Sequence, residues 1–211
     1  MRPSRPWRWL YFLLAVVLLI AGAFYFDSAV QNWMEQHQTP AGKDFMRAVS
    51  RWGDWPTHVI AGTLGAIVCW MLGKREWTKI FVAMLLACAL TGLINPVIKT
   101  AAGRARPSVK VDTGWKGPNL HQKYHAFPSG HTVATSAFFA ALFLARRRLG
   151  LALLPIPLLI AFSRLYLNAH YLSDVVCGAA LGFSCALIVW RLLALWEKSQ
   201  TPAAIPVSES S

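Results

Sequence analysis

Residues 9–26, WLYFLLAVVLLIAGAFYF, are 18 consecutive residues without a charged side chain. A helix rises about 1.5 Å per residue, so one of this length can cross a hydrocarbon core about 30 Å thick. Hydrophobic residues make up 55% of the 211-residue chain, and they lie in long uncharged runs of this kind rather than in periodic core faces. The chain is therefore predicted to be a membrane protein.

Five further runs lack charged residues: 56–73, 80–98, 126–145, 149–163 and 175–190. The last two have only 15 and 16 residues, so their helices must extend into charged sequence to reach membrane length. The pattern predicts an all-α fold: a polytopic bundle of six transmembrane helices in one domain, 1–196, followed by a disordered cytoplasmic tail, 197–211. A soluble all-helical fold could accommodate the last three runs as buried core helices, but not the first three.

Short basic clusters alternate along these runs and predict the orientation of the bundle. They precede the first run, separate the second from the third and the fourth from the fifth, and follow the sixth: Arg2, Arg5 and Arg8; Lys74, Arg75 and Lys79; Arg146, Arg147 and Arg148; and Arg191. Because cytoplasmic loops are enriched in Lys and Arg, both termini are expected in the cytoplasm, with the protein in the plasma membrane. Segments 27–55, 99–125 and 163–174 then lie on the outer face.

The N-terminus also resembles a secretory signal, because a basic start and an apolar run precede Ala21, Gly22 and Ala23, a small-x-small sequence of the kind used for cleavage. The apolar run continues past this sequence through residues 24–26. We therefore favour an uncleaved anchor that forms the first helix of the bundle.

The distribution of basic residues and the spacing of cysteines limit which partners and cofactors are expected. The net charge is +12, but the basic residues are spread over loops rather than gathered in one stripe. Anionic lipid headgroups are therefore expected as partners, and nucleic acid is not. The four cysteines, Cys69, Cys88, Cys177 and Cys185, fall inside apolar runs without zinc-type or disulfide spacing. We expect neither a metal nor another cofactor.

Three short stretches carry residues suited to phosphate chemistry: KTAAGRARP at 99–107, PSGH at 128–131 and SRLYLNAHYLSD at 163–174. In the first, Lys99 and Arg106 are the expected phosphate clamp, because an arginine fork binds two oxygens at once and a lysine acts as a mobile point charge. Pro107 ends helical structure here and favours an extended Arg106. Arg104 and Lys110 are interpreted as ordinary loop charges.

The second stretch, PSGH, is a predicted helix start. Ser129 is expected to cap the helix, and Gly130 lets a ligand approach the backbone. Free N–H groups and the positive end of the helix dipole make this a natural seat for phosphate. His131 lies in that seat, where a bound phosphate favours its protonated form and suits it to be a general acid.

The third stretch carries His170 and Asp174, one helical turn apart. The carboxylate can accept the proton of one ring nitrogen and leave the other free as a nucleophile or base. A purely structural His–Asp hydrogen bond is the alternative. Arg164 precedes His170 by six residues, and a turn near Asn168 is expected to bring it alongside as a third cation.

The complete pattern resembles a known family signature. Lys99-x6-Arg106-Pro107, Pro128-Ser129-Gly130-His131 and Ser163-Arg164-x5-His170-x3-Asp174 are similar to the three-part signature of the type 2 phosphatidic acid phosphatase superfamily. The resemblance implies a six-helix membrane bundle and metal-independent hydrolysis of a lipid phosphate or diphosphate through a phosphohistidine. It also implies roles: His170 is the nucleophile, Asp174 orients it, and His131 protonates the leaving oxygen and later activates water. By the same resemblance, phosphate is bound by Lys99, Arg106, Arg164 and the backbone of Ser129 and Gly130.

Two other enzyme functions share this site. Soluble vanadium-dependent haloperoxidases carry the same signature, although six apolar runs and the small size argue against them, and a lipid phosphotransferase would pass the phosphoryl group to another lipid. A non-enzymatic lipid-binding scaffold leaves the paired histidines without a role. The candidate lipids are undecaprenyl diphosphate, phosphatidylglycerol phosphate, lipid A 1-phosphate and phosphatidate. Residues 108–127 are expected to select the headgroup.

Overall fold

A computed structural model describes residues 7–109 and 114–200. These residues form eight α-helices and one 3-10 turn: α1 (Trp7–His37), α2 (Pro40–Arg51), α3 (Trp55–Met71), α4 (Arg75–Ala102), the 3-10 turn (Gln122–Tyr124), α5 (Gly130–Ala145), α6 (Arg147–Ala152), α7 (Pro155–Tyr166) and α8 (Leu172–Gln200). The only β pairing in this part of the chain is an isolated bridge between Arg104 and Trp115. The predicted all-α class is confirmed.

Four helical segments are long and apolar enough to cross a membrane: Leu10–His37, Arg75–Ala102, Arg147–Tyr166 and Leu172–Gln200. The predicted extension of the two shortest apolar runs into charged sequence is thus confirmed. The other two predicted spans correspond to α3 and α5, which are apolar but have only 17 and 16 residues. The structure therefore supports a membrane protein with four full-length spans, and six full-length spans are not confirmed.

Segment 27–55 differs from the predicted outer loop. α1 continues past the apolar run as far as His37, and α2 begins three residues later, so the segment is mostly helical. Thr39 caps α2, because its side-chain oxygen accepts the N–H of Gly42. Asp27 is consequently a residue within helix α1 rather than a loop charge.

Helix α5 is central in the bundle and packs against α3, α4, α6, α7 and α8. Small residues allow this close approach, as in membrane helix interfaces generally. A Cβ added to Gly182 of α8 would lie 2.4 Å from the carbonyl oxygen of Val133 in α5. In contrast, Leu13 and Leu18 of α1 are about three-fifths exposed, as expected of side chains that face lipid.

The ends of four helices converge at one end of the bundle. The last turn of α4 contacts the start of α5, since Lys99 donates to the carbonyl of Pro128. The start of α5 contacts the start of α8, since the N–H of Ser129 donates to the carbonyl of Asp174. A left-handed residue, Asn168 with φ of 50°, lies in the turn that returns the chain from α7 to α8.

Several predictions fall at the margins of the described residues. Helix α8 runs to Gln200 and so includes the first four residues of the predicted tail. Residues 201–211, Arg2, Arg5 and Lys110 lie outside the described part of the chain.

Candidate active site

Lys99 is held by two backbone carbonyls at the start of α5. Its Nζ donates to the oxygen of His125 at 2.8 Å and to that of Pro128 at 2.7 Å. An ammonium group has three protons, so one remains for a ligand. A Cβ added to Gly130 would lie 3.7 Å from Cε of Lys99, which places this cation against the first turn of α5.

The predicted helix start at PSGH is confirmed, but Ser129 does not act as predicted. Its side chain makes no capping bond to the backbone; its Oγ instead accepts from Oγ1 of Thr132 at 3.0 Å. Its own N–H donates to the carbonyl of Asp174 at 3.0 Å and is not available to phosphate. The N–H groups that the helix leaves without an internal partner, and that remain for the predicted anion seat, are those of Gly130, His131 and Thr132.

His170 and Asp174 are adjacent, as the spacing predicts. Nδ1 of His170 lies 3.5 Å from Oδ2 of Asp174, longer than a well-formed hydrogen bond, and this buried nitrogen has no other hydrogen-bond partner among the described residues. His170 is only 4% exposed. This burial lowers the pKa of His170 to about 4, against the opposing effect of the Asp174 carboxylate. The ring is therefore neutral at physiological pH, the form that a nucleophilic histidine needs.

His131 has a carboxylate partner of its own, which the sequence reasoning did not identify. Its Nε2 lies 2.8 Å from Oδ1 of Asp54, the residue that immediately precedes α3. The side chain of Asp54 is about half exposed, whereas that of His131 is about four-fifths buried. An aspartate directly before a Trp-Pro helix start resembles an ordinary N-cap, so its sequence context gave no sign of this partnership.

Arg106 and Arg164 complete the cation cluster. Nη1 of Arg164 donates to Oγ of Ser50 in α2, and its buried Nε has no hydrogen-bond partner among the described residues. Arg106 is partly buried, which lowers its pKa, and the charge of Asp174 opposes that effect. Both arginines lie close enough to Lys99 and His131 to interact with them electrostatically. Three cations converging on two histidines are mutually repulsive unless an anion lies between them.

Arg104 is a buried residue, and its interpretation as an ordinary loop charge is wrong. It is 6% exposed, and its guanidinium donates to three side chains. Nη1 lies 2.5 Å from Oδ1 of Asp174 and 2.6 Å from Oγ of Ser173, and Nη2 lies 2.7 Å from Oδ2 of Asp27. A sequence signal existed for Asp27, since a carboxylate at the end of a long apolar run is costly unless it is paired.

Two cavities flank this cluster. A groove of about 680 Å³ lies between α3, α4 and α5; Asp54, Thr91, Asn95 and His131 are polar residues of its lining, and much of the rest is apolar, such as Leu93. A second cavity of about 430 Å³ is lined by charged and polar groups of α1 and α2, by the loop that follows α4 and by Arg164. Arg164 and His131 thus connect the cation cluster to a polar cavity on one side and to a largely apolar groove on the other.

No metal-ligand cluster is found within residues 7–109 and 114–200, where no three His, Cys, Asp or Glu side chains are placed to share an ion. The four cysteines are free; Cys88 and Cys185 are buried, and Cys69 and Cys177 are partly so. The chemical groups available at the site are therefore three cations, two Asp-paired histidines and the N–H groups of the α5 start. Such a set can bind a tetrahedral anion and transfer a group to nitrogen.

Comparisons with known proteins agree with this chemistry. The sequence profile of the PAP2 superfamily matches residues 80–198. A lipid A 1-phosphatase of Rhizobium johnstonii is 37% identical over 95 residues, which are 44% of this chain and 39% of that protein. A decaprenylphosphoryl-5-phosphoribose phosphatase of Mycobacterium tuberculosis is 34% identical over 140 residues, which cover 62% of this chain and 68% of that protein.

A solved structure shares the fold. The crystal structure of a transmembrane PAP2-type phosphatidylglycerolphosphate phosphatase from Bacillus subtilis superposes with a TM-score of 0.67. The match covers 92% of this chain and 98% of the other, at 20% sequence identity. The similarity therefore extends over nearly all of the bundle and beyond the segment that the family profile matches.

Proposed function

The chain belongs to the PAP2 superfamily, and from that premise we propose that it hydrolyses the phosphate or diphosphate group of a membrane lipid. One observation carries the proposal: two Asp-paired histidines lie beside three converging cations, at the end of a largely apolar groove. The cations suit a phosphoryl group, the histidines suit its transfer, and the groove suits a hydrocarbon chain.

In the proposed mechanism His170 is the nucleophile. Its Nδ1 faces Asp174, so Nε2 is the nitrogen that attacks phosphorus. The bond from phosphorus to the lipid oxygen breaks as the P–N bond forms, and His131 gives a proton to the departing oxygen. Water then attacks phosphorus as the P–N bond breaks, His131 takes a proton from that water, and inorganic phosphate leaves with neutral His170 restored.

The charged groups around the transferred phosphoryl group have separate tasks in this mechanism. Lys99, Arg106 and Arg164 balance the charge on its oxygens, together with the N–H groups at the start of α5. Asp54 places negative charge beside His131, which must carry a proton when the lipid oxygen departs. Asp174 faces Nδ1 of His170 and thereby orients the imidazole ring.

The groove supports a lipid as the leaving group. His131 lines it together with apolar side chains of α3, α4 and α5. A lipid whose departing oxygen reaches His131 can thus keep its chain in an apolar environment. The polar cavity beside Arg164 suits inorganic phosphate better than a hydrocarbon chain, because charged and polar groups line it.

The proposal is tested by phosphate release from purified, detergent-solubilised protein. The substrates are lipid A 1-phosphate, phosphatidylglycerol phosphate, undecaprenyl diphosphate and phosphatidate, each assayed with excess chelator and with vanadate. We expect release from at least one of them to persist in chelator, since three cations balance the phosphate charge, and to be inhibited by vanadate, which mimics the five-coordinate transfer geometry. Loss of turnover on chelation with recovery in magnesium contradicts the mechanism. Bromide oxidation by the vanadate-loaded protein, or transfer to an added lipid in place of phosphate release, would support the other two enzyme classes.

We further propose a topology in which residues 1–196 form one domain with six membrane-crossing helices, both termini are cytoplasmic and the active site is on the outer face. The alternating basic clusters support it. In a cysteine-free background, Lys116→Cys should react with an impermeant thiol reagent on intact cells and Arg147→Cys should not. Both side chains are exposed, so the comparison depends on sidedness. The reverse pattern of labelling contradicts this orientation.

A further inference from the structure

We propose that Arg104 and Asp27 are positioning residues for phosphoryl transfer, acting through Asp174; this inference rests on the function proposed above. Neither residue lines either of the two cavities beside the cation cluster. Both are buried, and they connect α1 to the start of α8 through the loop that follows α4.

The two oxygens of Asp174 have different partners. Oδ1 accepts from Nη1 of Arg104 at 2.5 Å. Oδ2 accepts the N–H of Tyr171 at 2.9 Å and lies 3.5 Å from Nδ1 of His170. Because the contact with His170 is long, the orientation of the carboxylate is determined mainly by Arg104 and the Tyr171 backbone. Rotation of this carboxylate would remove the acceptor from His170.

Asp27 fixes Arg104 and the neighbouring backbone together. Its Oδ1 accepts the N–H of Ser173 at 2.8 Å, and its Oδ2 accepts from the Ser173 hydroxyl at 2.6 Å and from Nη2 of Arg104 at 2.7 Å. The guanidinium also lies over the rings of Tyr171 and Trp115, 4.2 and 4.8 Å from their centroids. Arg104 is thereby bonded at both Nη groups and packed between aromatic rings, which leaves it little freedom.

Asp174 is the member of this network that interacts with His170 directly, and the charges of Arg104 and Asp27 lie behind it. One guanidinium lies between two carboxylates, so the group carries one net negative charge when all three are ionised. Other charged or titratable groups that face His170 come from each helix around it: Asp174 of α8, Lys99 of α4, Arg164 of α7 and His131 of α5. Loss of the Arg104 charge makes the potential at His170 more negative and favours imidazolium. Loss of the Asp27 charge has the opposite effect.

The experiment measures the acid limb of kcat/KM with a soluble aryl phosphate for four variants of the full chain. Arg104→Gln should move the limb to higher pH by about one unit, because the more negative potential favours protonation of His170. Asp27→Asn should move the limb to lower pH by a similar amount. The double variant conserves net charge and should return the limb close to the wild-type position. Arg104→Lys keeps the charge but loses the fork, so its limb should stay in place while kcat falls at least tenfold.

The exposed ion pair of Lys79 with Glu197 supplies the matched control. Its N–O distance of 2.8 Å is similar to those of the Arg104 pairs, but it joins the start of α4 to the end of α8, whereas the site lies at the opposite ends of these helices. Lys79→Gln should leave kcat/KM and its pH limb unchanged. If Arg104→Gln does not fold, the sign of the Asp27→Asn shift decides. Unmoved limbs, or shifts of the same sign in both single variants, overturn the proposal. Failure of the wild-type protein to hydrolyse any phosphate ester would instead contradict the proposed function itself.

Discussion

The two histidines should be separable by substitution, because the structure gives them different surroundings. His170 is buried in the turn before α8, and in the proposed mechanism it alone supplies the nitrogen that attacks phosphorus. His170→Ala should therefore abolish both turnover and the acid-labile phosphoenzyme. His131 is partly exposed and lines the groove, so water can enter the space that His131→Ala leaves. We expect His131→Ala to slow both formation and breakdown of the phosphoenzyme by about 10² to 10⁴, the range for loss of a general acid or base.

A change of leaving group then isolates the proton transfer. An aryl phosphate with a strongly acidic phenol departs without a proton, so His131→Ala should recover phosphoenzyme formation with it. Breakdown should stay slow, because the attacking water still lacks a base, and the variant should accumulate phosphoenzyme. His170→Ala should recover nothing with the same substrate, because it lacks the attacking nitrogen.

The assay is quenched-flow trapping of labelled enzyme with both substrates, at equal concentrations of folded protein. His121→Ala, a change to an exposed loop histidine, is the control and should match the wild type. If His170→Ala were the variant that accumulates phosphoenzyme, the two histidines would exchange roles. Asp54 would then support the nucleophile and Asp174 the acid.

Three further predictions concern the pH dependence, the anion seat and the packing of the bundle. Burial lowers the pKa of His170 to about 4, so lowering the pH from 7 to 5 should leave His170 neutral and kcat/KM, corrected for titration of the substrate, on its plateau; a midpoint near 6.5 would show an unshifted histidine. Lys99→Met removes a cation from the phosphate, so kcat/KM at equal concentrations of folded protein should fall by about 10² to 10³, and an effect smaller than tenfold would contradict a role for Lys99 in binding phosphate. Gly182→Ala should destabilise the bundle by about 1 to 3 kcal/mol, since the new Cβ would lie 2.4 Å from the oxygen of Val133 and 2.8 Å from the nitrogen of Ala137. Gly22→Ala, where nothing lies within 4 Å of the added carbon, should leave the melting temperature unchanged or slightly higher, and equal losses in the two variants would contradict this account of the α5–α8 contact.

Sequence patterns predicted the helical class and the phosphatase family because both depend on local properties. Long uncharged runs identify membrane helices whatever packs against them, since backbone groups in hydrocarbon must be satisfied within the segment. His170 and Asp174 are only four residues apart, so a short stretch of chain makes them neighbours, although His170 lies in the turn before α8 rather than in the helix. The predicted α5 start at Gly130 was equally local, and it is confirmed.

The lengths of the helices were less predictable from the apolar runs. The run at 56–73 has 18 uncharged residues, yet α3 has only 17, whereas the run at 175–190 has 16 and α8 has 29. A charged residue costs little where a helix leaves the hydrocarbon, so α1 and α8 continue through charged sequence beyond the apolar run. Whether such an end is helical depends on what it packs against rather than on its hydropathy.

Partners distant in the chain could be identified only from the tertiary structure. Arg104 lies 77 residues from Asp27 and 70 from Asp174, and no periodicity or spacing relates residues at such distances. The same holds for the pair of His131 and Asp54, and for the hydrogen bond from the N–H of Ser129 to the carbonyl of Asp174 in α8. A charged side chain in a loop has the same sequence context whether it is solvated or buried. Its role is decided by the helices that pack over it, because a buried guanidinium is stable only where carboxylates from other parts of the chain meet it.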